Sequence, residues 1–530
     1  MAADTLPSLP ASSQVWTRRF CWLLAGVVVF RVLHLFMAID FQLSADEAYY
    51  WDWGRRLDWC YYSKPPLIGW LMGAVGRLSG DKWWAVRLAA MLLGSVSLGL
   101  LFLLGKKLFD ARTGFFAALL LLLTPANWIA NLGLTIDAPL LLCWTAALLF
   151  FWKMANEPRS PGGWLCLTLV VGIGTLAKQM MLAFPGMMVI FALSSPEHRT
   201  LLKRPAFWLC IMGSLAFLSP MIWWNTQHHG VTLEHTLEHF NHKDLGWSGT
   251  LVQFLTFPVV QAGVYSPITF AVLVTAMILV LRTWRSQDLR NRFLLTFSAP
   301  GLAVVMLLAL RQNIGPNWPA VFYVPLFVLA AALASSHAAL HRWMLRGLKL
   351  GGACALVFYA FLPLVRPMGW AGNKRLDPAV AMRGWQEAGV RVGELMKKMQ
   401  HPERTFVLVL DHRRYASQMA FSMPQHPRVY RWTESGKVES QYEIWPGFQD
   451  KVGWDCFVIY PDSEDDNYRK SKFPPALMHA FDKWHKLGDV NVDVGNGVRR
   501  SFQLFQCKRM LHYPIPEPEI PQPSAPAALQ

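Results

Sequence analysis

Asp46-Glu47-Ala48-Tyr49-Tyr50-Trp51, followed fourteen residues after Tyr50 by Lys64-Pro65-Pro66, lies between two apolar runs at residues 20–38 and 83–104. Each run is about as long as a helix needs to cross ~30 Å of hydrocarbon. The quoted loop therefore stands at one face of a membrane, where an acid pair and a proline-fixed ammonium are costly and usually have a task. Working outward, further apolar runs recur near 114–131, 136–152, 164–178, 180–194, 207–224, 266–281, 293–310, 318–336 and 348–365. Eleven spans are expected. The chain has 530 residues, of which 53% are hydrophobic and 16% charged, well below the ~25% charge of a soluble domain.

A net charge of +16 raises the question of nucleic acid, but the cations are distributed as in a membrane protein. Alternate short loops collect 17 Lys and Arg against 7 in the intervening ones. That asymmetry places the N-terminus and the basic loops in the cytoplasm. The loop 39–82 and everything after about 366 are then non-cytoplasmic. No cleavable signal peptide is expected, because the first apolar run opens a multispan pattern.

The domain reading is a transmembrane domain over 1–365, an external α/β domain over 366–512 and an unfolded tail over 513–530. Within the first loop, 46–56 and 65–78 read as short interfacial helices rich in aromatics, and 249–263 as another. In the external domain, 378–399 reads as a helix and 405–410, 428–432, 456–460, 490–494 and 500–506 as strands, with a helix over 475–486. The eight cysteines show no metal spacing. Cys456 and Cys507 fall in a compartment that permits disulfides and are candidates for pairing.

Asp46 and Glu47 alone would read equally as solvated residues or helix caps. Other polar groups at the same external face weigh against that. Asp137 opens a span in Thr135-Ile136-Asp137-Ala138-Pro139, Lys178 closes the next, Arg87 lies one turn into the second span, and Arg31 lies in the outer half of the first. These groups can converge, with opposite charges offsetting one another's desolvation; for Arg31 and Arg87, packing is the competing reading. Lys64 and Lys178 suit a fixed anion such as phosphate, to which an ammonium presents a compact charge. His228, His229, His235, His239 and His242 invite a metal, but no cysteine completes a set. They read as a surface helix or an acceptor-side loop, and neither metal nor other cofactor is expected.

The ordered set Asp46-Glu47-Ala48-Tyr49-Tyr50-Trp51, Tyr61-Tyr62-Ser63-Lys64-Pro65-Pro66, Thr135-Ile136-Asp137-Ala138-Pro139, Gly172-Ile173-Gly174-Thr175-Leu176-Ala177-Lys178 and Pro316-Asn317-Trp318-Pro319-Ala320 resembles the bacterial polyprenyl-phosphate-dependent glycosyltransferases of the GT-C fold. That group includes the lipid A aminoarabinose transferase and the family 39 relatives of protein mannosyltransferases. In the external domain, Asp411-His412-Arg413-Arg414-Tyr415 and Trp445-Pro446-Gly447-Phe448 match as well.

The resemblance implies an α-helical polytopic protein that moves a sugar from a polyprenyl (undecaprenyl) phosphate to lipid A, an envelope glycan or a protein, with inversion. It implies catalytic roles for Asp46, Glu47 and Asp137 and donor-phosphate binding by Lys64, Lys178 and Tyr61, with Tyr50, Arg87 and Arg311 as additional candidates. The partners are then the lipid-linked donor, the acceptor and the bilayer, and no nucleic acid. Ser63 stands where the aminoarabinose transferase has an acid, and Tyr49 where it has an arginine; both favour the family 39-like branch. A flippase for the lipid-linked sugar is the alternative, although polar groups at one face fit it less well than mid-membrane broken helices would.

Overall fold

The computed structural model describes residues 11–38, 41–238, 246–462 and 473–514. They divide into two compact units: Met1–Ile39 with Trp53–Leu364, and Asp40–Asp52 with Val365–Gln530.

In the first unit every apolar run is helical, but the lengths differ from expectation. Among the described residues, six helices are long and apolar enough to span a bilayer: Ser13–Met37, Trp83–Leu108, Asp137–Asn156, Pro205–Gln227, Leu289–Leu308 and Ala338–Leu364. A seventh candidate is the pair Gly246–Tyr265 and Pro267–Arg282, bent by 112°. The remaining runs form shorter helices, Ala111–Leu122, Pro161–Ala177, Gln179–Ser194 and Ala320–Ala334, so among the described residues six to seven of the eleven expected spans have the full length of a crossing helix. The breaks are local. Pro125 starts a new helix after Leu122, with Thr124 as its cap. Ser266, forced out of helical geometry by the following proline, takes φ +65° at the bend. Lys178 is extended and separates its two neighbours.

Ala320–Ala334 is apolar all round and buried from Val321 to Ala334, as a central helix must be. Trp144, Phe151, Phe184, Phe191 and Phe293 form an edge-to-face aromatic core in the same unit.

The second unit holds a five-stranded sheet: β1 (Thr405–Leu410), β2 (Val429–Trp432), β3 (Asp455–Asp462), β4 (Phe481–Gly495) and β5 (Val498–Met510), in spatial order β2-β1-β3-β5-β4. β1 runs parallel to both neighbours, and its unbroken Thr-Phe-Val-Leu-Val-Leu is buried throughout, as a parallel strand covered on both faces requires.

Residues 481–486, expected to be helical, are strand. The helix stops at Ala480 because Phe481 pairs with Met510 and the ladder continues to Gly495; tertiary pairing overrides local propensity. The expected helix over 378–399 narrows to Trp385–Lys397. Asp377 accepts from the N–H groups of Gly372 and Ala379 and binds Arg383 at 2.7 Å, which holds the preceding segment in turns. Cys456 and Cys507 are direct register partners on β3 and β5 and remain free thiols.

Candidate active site

In the first unit the turn carrying Lys64 is fastened from below. Tyr61 stacks on Trp53 with ring centroids 4.3 Å apart, and its hydroxyl donates to the Trp53 carbonyl at 3.2 Å. Its own N–H closes the turn onto the Lys64 carbonyl at 3.1 Å. Thr232 donates to the Tyr61 carbonyl at 3.0 Å, and the indoles of Trp224 and Trp70 donate to the Asp58 carboxylate and carbonyl at 2.8 and 2.9 Å. The helix Leu67–Ser79 approaches so closely that a Cβ on Gly69 would lie 2.6 Å from the Tyr61 hydroxyl.

Pro65 and Pro66 are buried while Lys64 is half-exposed. Lys64 thus rides on a backbone with little freedom left, which is what a preorganised cation needs. Burial pushes the Cys60 thiol up to about 11 and the Tyr61 phenol higher still. In both groups burial favours the neutral form.

A second cluster forms where two helix ends meet. Asp137 is the first residue of Asp137–Asn156, and Lys178 directly follows Pro161–Ala177. The Lys178 ammonium lies 2.8 Å from one carboxylate oxygen of Asp137, and the Asn317 amide donates to the other at 2.6 Å. The Lys178 and Asp137 side chains are only 12% and 14% exposed, so the pair is largely desolvated and each charge depends on its partner. The positive end of the helix dipole also favours a carboxylate at this position.

Arg31 and Arg87 serve a different purpose. Arg31 donates to the side-chain carbonyls of Asn131 and Asn127 at 2.8 and 2.6 Å, and Arg87 donates to the Leu132 carbonyl. Both fasten the segment around 127–132. Arg311 is exposed, in the same connection that carries Asn317.

Asp46, Glu47 and Tyr50 fold with the second unit. Their helix, Ala45–Gly54, is buried over 47–54 and is not the one-sided interfacial helix expected. Tyr49 accepts from the Gln441 N–H at 2.6 Å, Tyr442 donates to Asp52 at 2.8 Å, and Gln418 donates to the Leu43 carbonyl at 3.0 Å. Glu47 is 1% exposed; it accepts from the Ser44 N–H at 2.9 Å, while the Ser44 hydroxyl accepts from the Glu47 N–H at 3.3 Å. This reciprocal pair is a capping box. Asp46 alone points outward, 61% exposed, with the Arg413 guanidinium at 3.5 Å. Arg413 itself lies over the Tyr49 ring at 4.5 Å.

Asn317 and Arg413 carry no role in the sequence reading, although both lie inside matched motifs. Asn317 was within reach, since its loop falls on the same membrane face as Asp137 by parity. For Arg413 the sequence gives no signal, because its partner is more than 360 residues away. Among the described residues no three His, Cys, Asp or Glu side chains converge as a metal requires; His239 and His242 lie outside the described residues.

An apolar helical unit with cation-bearing turns, joined to a small sheet unit, is the architecture of a membrane glycosyltransferase of the GT-C fold, and that is what this multi-pass chain is. Residues 63–224 match the family model for dolichyl-phosphate-mannose-protein mannosyltransferases. The lipid A galacturonosyltransferase RgtD of Rhizobium johnstonii is 28% identical over 431 residues, covering 79% of this chain and 85% of the relative. The undecaprenyl phosphate-alpha-4-amino-4-deoxy-L-arabinose arabinosyl transferase of Yersinia enterocolitica is 24% identical, covering 68% and 70%. In fold, the chain is similar to ArnT of Cupriavidus metallidurans, a structure determined with undecaprenyl phosphate: TM-score 0.62, 18% identity, 93% of this chain and 98% of that one.

Proposed function

We propose that this protein transfers a glycosyl residue from a polyprenyl phosphate to a lipid A-type saccharide at the periplasmic face of the inner membrane. The N-terminus is then cytoplasmic and the sheet unit periplasmic. The acceptor oxygen attacks the anomeric carbon, the bond to the phosphate oxygen breaks, and the carrier leaves as polyprenyl phosphate. A glycosyl phosphate already has a leaving group, so the chain's task is to neutralise the growing phosphate charge and remove the acceptor's proton.

Lys64 and Lys178 are assigned the first task, as cations fixed before the reaction begins. Asp46 takes the proton: it is open to solvent, whereas Glu47 is committed to its cap. Asp137 and Asn317 aim Lys178, and Tyr61 holds the Lys64 turn. A single displacement inverts the anomeric centre.

The observation that carries this reading most is Lys178. An ammonium presented by the break between two apolar helices, and held in place by Asp137 at 2.8 Å, is a cation fixed in position before any donor arrives, which supports its assignment to the donor phosphate. The lipid A named for the Rhizobium relative supports the choice of acceptor, and the undecaprenyl phosphate-linked sugar named for the Yersinia relative supports the choice of donor. The test is to incubate vesicles of purified protein with a radiolabelled polyprenyl-phosphate sugar and lipid A. Label appearing on lipid A, with free polyprenyl phosphate released in equal amount, is the expected result. Label that crosses the bilayer still attached to its carrier would make the protein a flippase instead.

A further inference from the structure

The helices Asp137–Asn156 and Pro161–Ala177 form a hairpin whose outer ends carry Asp137 and Lys178. Its turn lies at the far end of Asp137–Asn156, about 30 Å away at ~1.5 Å per residue, and so at the opposite face of the membrane. A cavity of about 480 Å³ opens there. It is lined by Asn156, Glu157, Pro158, Arg159 and Ser160 of the turn and by Arg204, which directly precedes the helix starting at Pro205.

Both guanidiniums are uncommitted. Among the described residues neither the Arg159 nor the Arg204 side chain makes a hydrogen bond or an ion pair. Other arginines at this end of the unit are engaged: Arg292 meets Glu197 at 3.7 Å, Arg290 pairs with Asp288, and Arg199 donates to the Leu193 carbonyl at 3.2 Å. Glu157 is exposed on the rim, and no ion pair joins it to either arginine. Lys153, one turn before it, and Lys203, beside Arg204, are exposed as well, so the local charge is positive.

The depth is that of a lipid headgroup. The exposed Trp208 donates its indole N–H to the Leu202 carbonyl at 2.8 Å, and the buried Trp164 donates to the Pro158 carbonyl at 3.0 Å. An exposed indole with its N–H satisfied and its rings apolar suits the membrane interface. Leu165 and Leu169 on one helix, and Leu209 and Met212 on the other, are exposed. The two helices approach so closely that a Cβ on Gly213 would lie 2.9 Å from Thr168 Cγ2. A phosphate held at the hollow would lay its acyl chains along those apolar side chains.

We infer that this hollow binds the phosphodiester of an anionic phospholipid in the leaflet opposite the Asp137–Lys178 pair, as a fixed ligand of the hairpin and not as a substrate. Basic pockets between membrane helices recognise such headgroups, and guanidinium forks match phosphate oxygens in pairs. The inference does not depend on which sugar or acceptor the enzyme uses.

The full-length protein, delipidated in a non-ionic detergent, is titrated with phosphatidylglycerol, with phosphatidylethanolamine and with inorganic phosphate, and bound lipid is followed by native mass spectrometry. A saturable phosphatidylglycerol adduct, retained at energies that strip phosphatidylethanolamine, is expected. Arg159→Gln with Arg204→Gln should weaken that adduct by roughly tenfold, the scale of lost charged hydrogen bonds. Arg342→Gln with Arg346→Gln, which removes the same charge from exposed positions of the helix Ala338–Leu364, should leave it unchanged. Glu157→Gln should tighten binding, because it removes the carboxylate from the rim. Equal retention of phosphatidylethanolamine, no loss in the Arg159 and Arg204 variant, an equal loss in the Arg342 and Arg346 variant, or weaker binding in Glu157→Gln overturns the inference. Displacement of the lipid by inorganic phosphate would assign the hollow to a soluble phosphate compound and overturn the lipid.

Discussion

Asp46 and Asp137 both stand in the first turn of a helix, yet the two carboxylates live in different physical worlds. Asp137 belongs to the membrane unit, is 14% exposed, and is held on one oxygen by Lys178 at 2.8 Å and on the other by Asn317. Asp46 belongs to the sheet unit, is 61% exposed, and meets Arg413 at 3.5 Å. A desolvated, doubly held carboxylate is fixed in orientation and its charge is spent on its neighbours. An exposed one with a loose, solvent-screened partner keeps its lone pairs for a substrate. The difference separates an acid that organises a cation from an acid that can accept a proton, a distinction that adjacent motifs in a linear chain do not show.

The sharpest way to break that comparison is Asp46→Asn, expected to slow single-turnover transfer by about 10³-fold, within the range of a lost general base, while the protein still purifies folded. Activity within tenfold of wild type would remove Asp46 from proton transfer. Next in size is Lys64→Ala, expected to cost roughly 10²-fold in kcat, the scale of one lost preorganised donor. A change confined to KM would assign Lys64 to binding alone.

The comparison itself is then sharpened by two double-mutant cycles on kcat. For Asp137→Asn with Lys178→Met, each single change should cost about 10²-fold and the double little more, because a unit is broken once. Arg413→Ala should cost less than about fivefold and combine additively with Asp46 changes, as exposed pairs do. Additivity in the first cycle, or strong coupling in the second, would reverse the roles assigned here.

The smallest effect lies on the sheet unit's own ion cluster. Burial alone would raise the Glu439 carboxyl, but the hydrogen bond and charge of Arg431 outweigh it and hold it below its ordinary 4.5. With the folded value depressed, the stabilisation is full above that ordinary value and is lost as pH falls through the lower folded one. Limited pepsin cleavage at residues 429–443 should therefore rise as pH drops below about 4.5, and Glu439→Gln should flatten that dependence. An unchanged slope in the variant would show that another carboxylate governs it.

Much of the membrane unit was legible because its signal is periodic and local. Each apolar run became a helix, and Lys178 was found where an apolar run stops at a charge. Several helices are shorter than the apolar runs suggested, because hydropathy cannot tell a helix that crosses a bilayer from one such as Ala320–Ala334, which is buried along its length. The sheet unit was legible at β1, whose run of buried apolar residues has one interpretation. It failed at 481–486, where Phe-Asp-Lys-Trp-His-Lys becomes strand because β5 pairs with it.

The sequence alone determined that this chain sits in a membrane and which residues bear charge at its boundaries, since transfer of apolar and ionic groups between water and hydrocarbon depends on composition and order. Only the tertiary structure decided which charges are spent and which are free. Glu47 caps a helix, Arg31 and Arg87 brace a loop, and Lys178 leans on Asp137 and Asn317, whereas Asp46 stays open to solvent beside Arg413. Hydrogen bonds and ion pairs act over a few ångströms, and what lies within that range is set by folding rather than by distance along the chain.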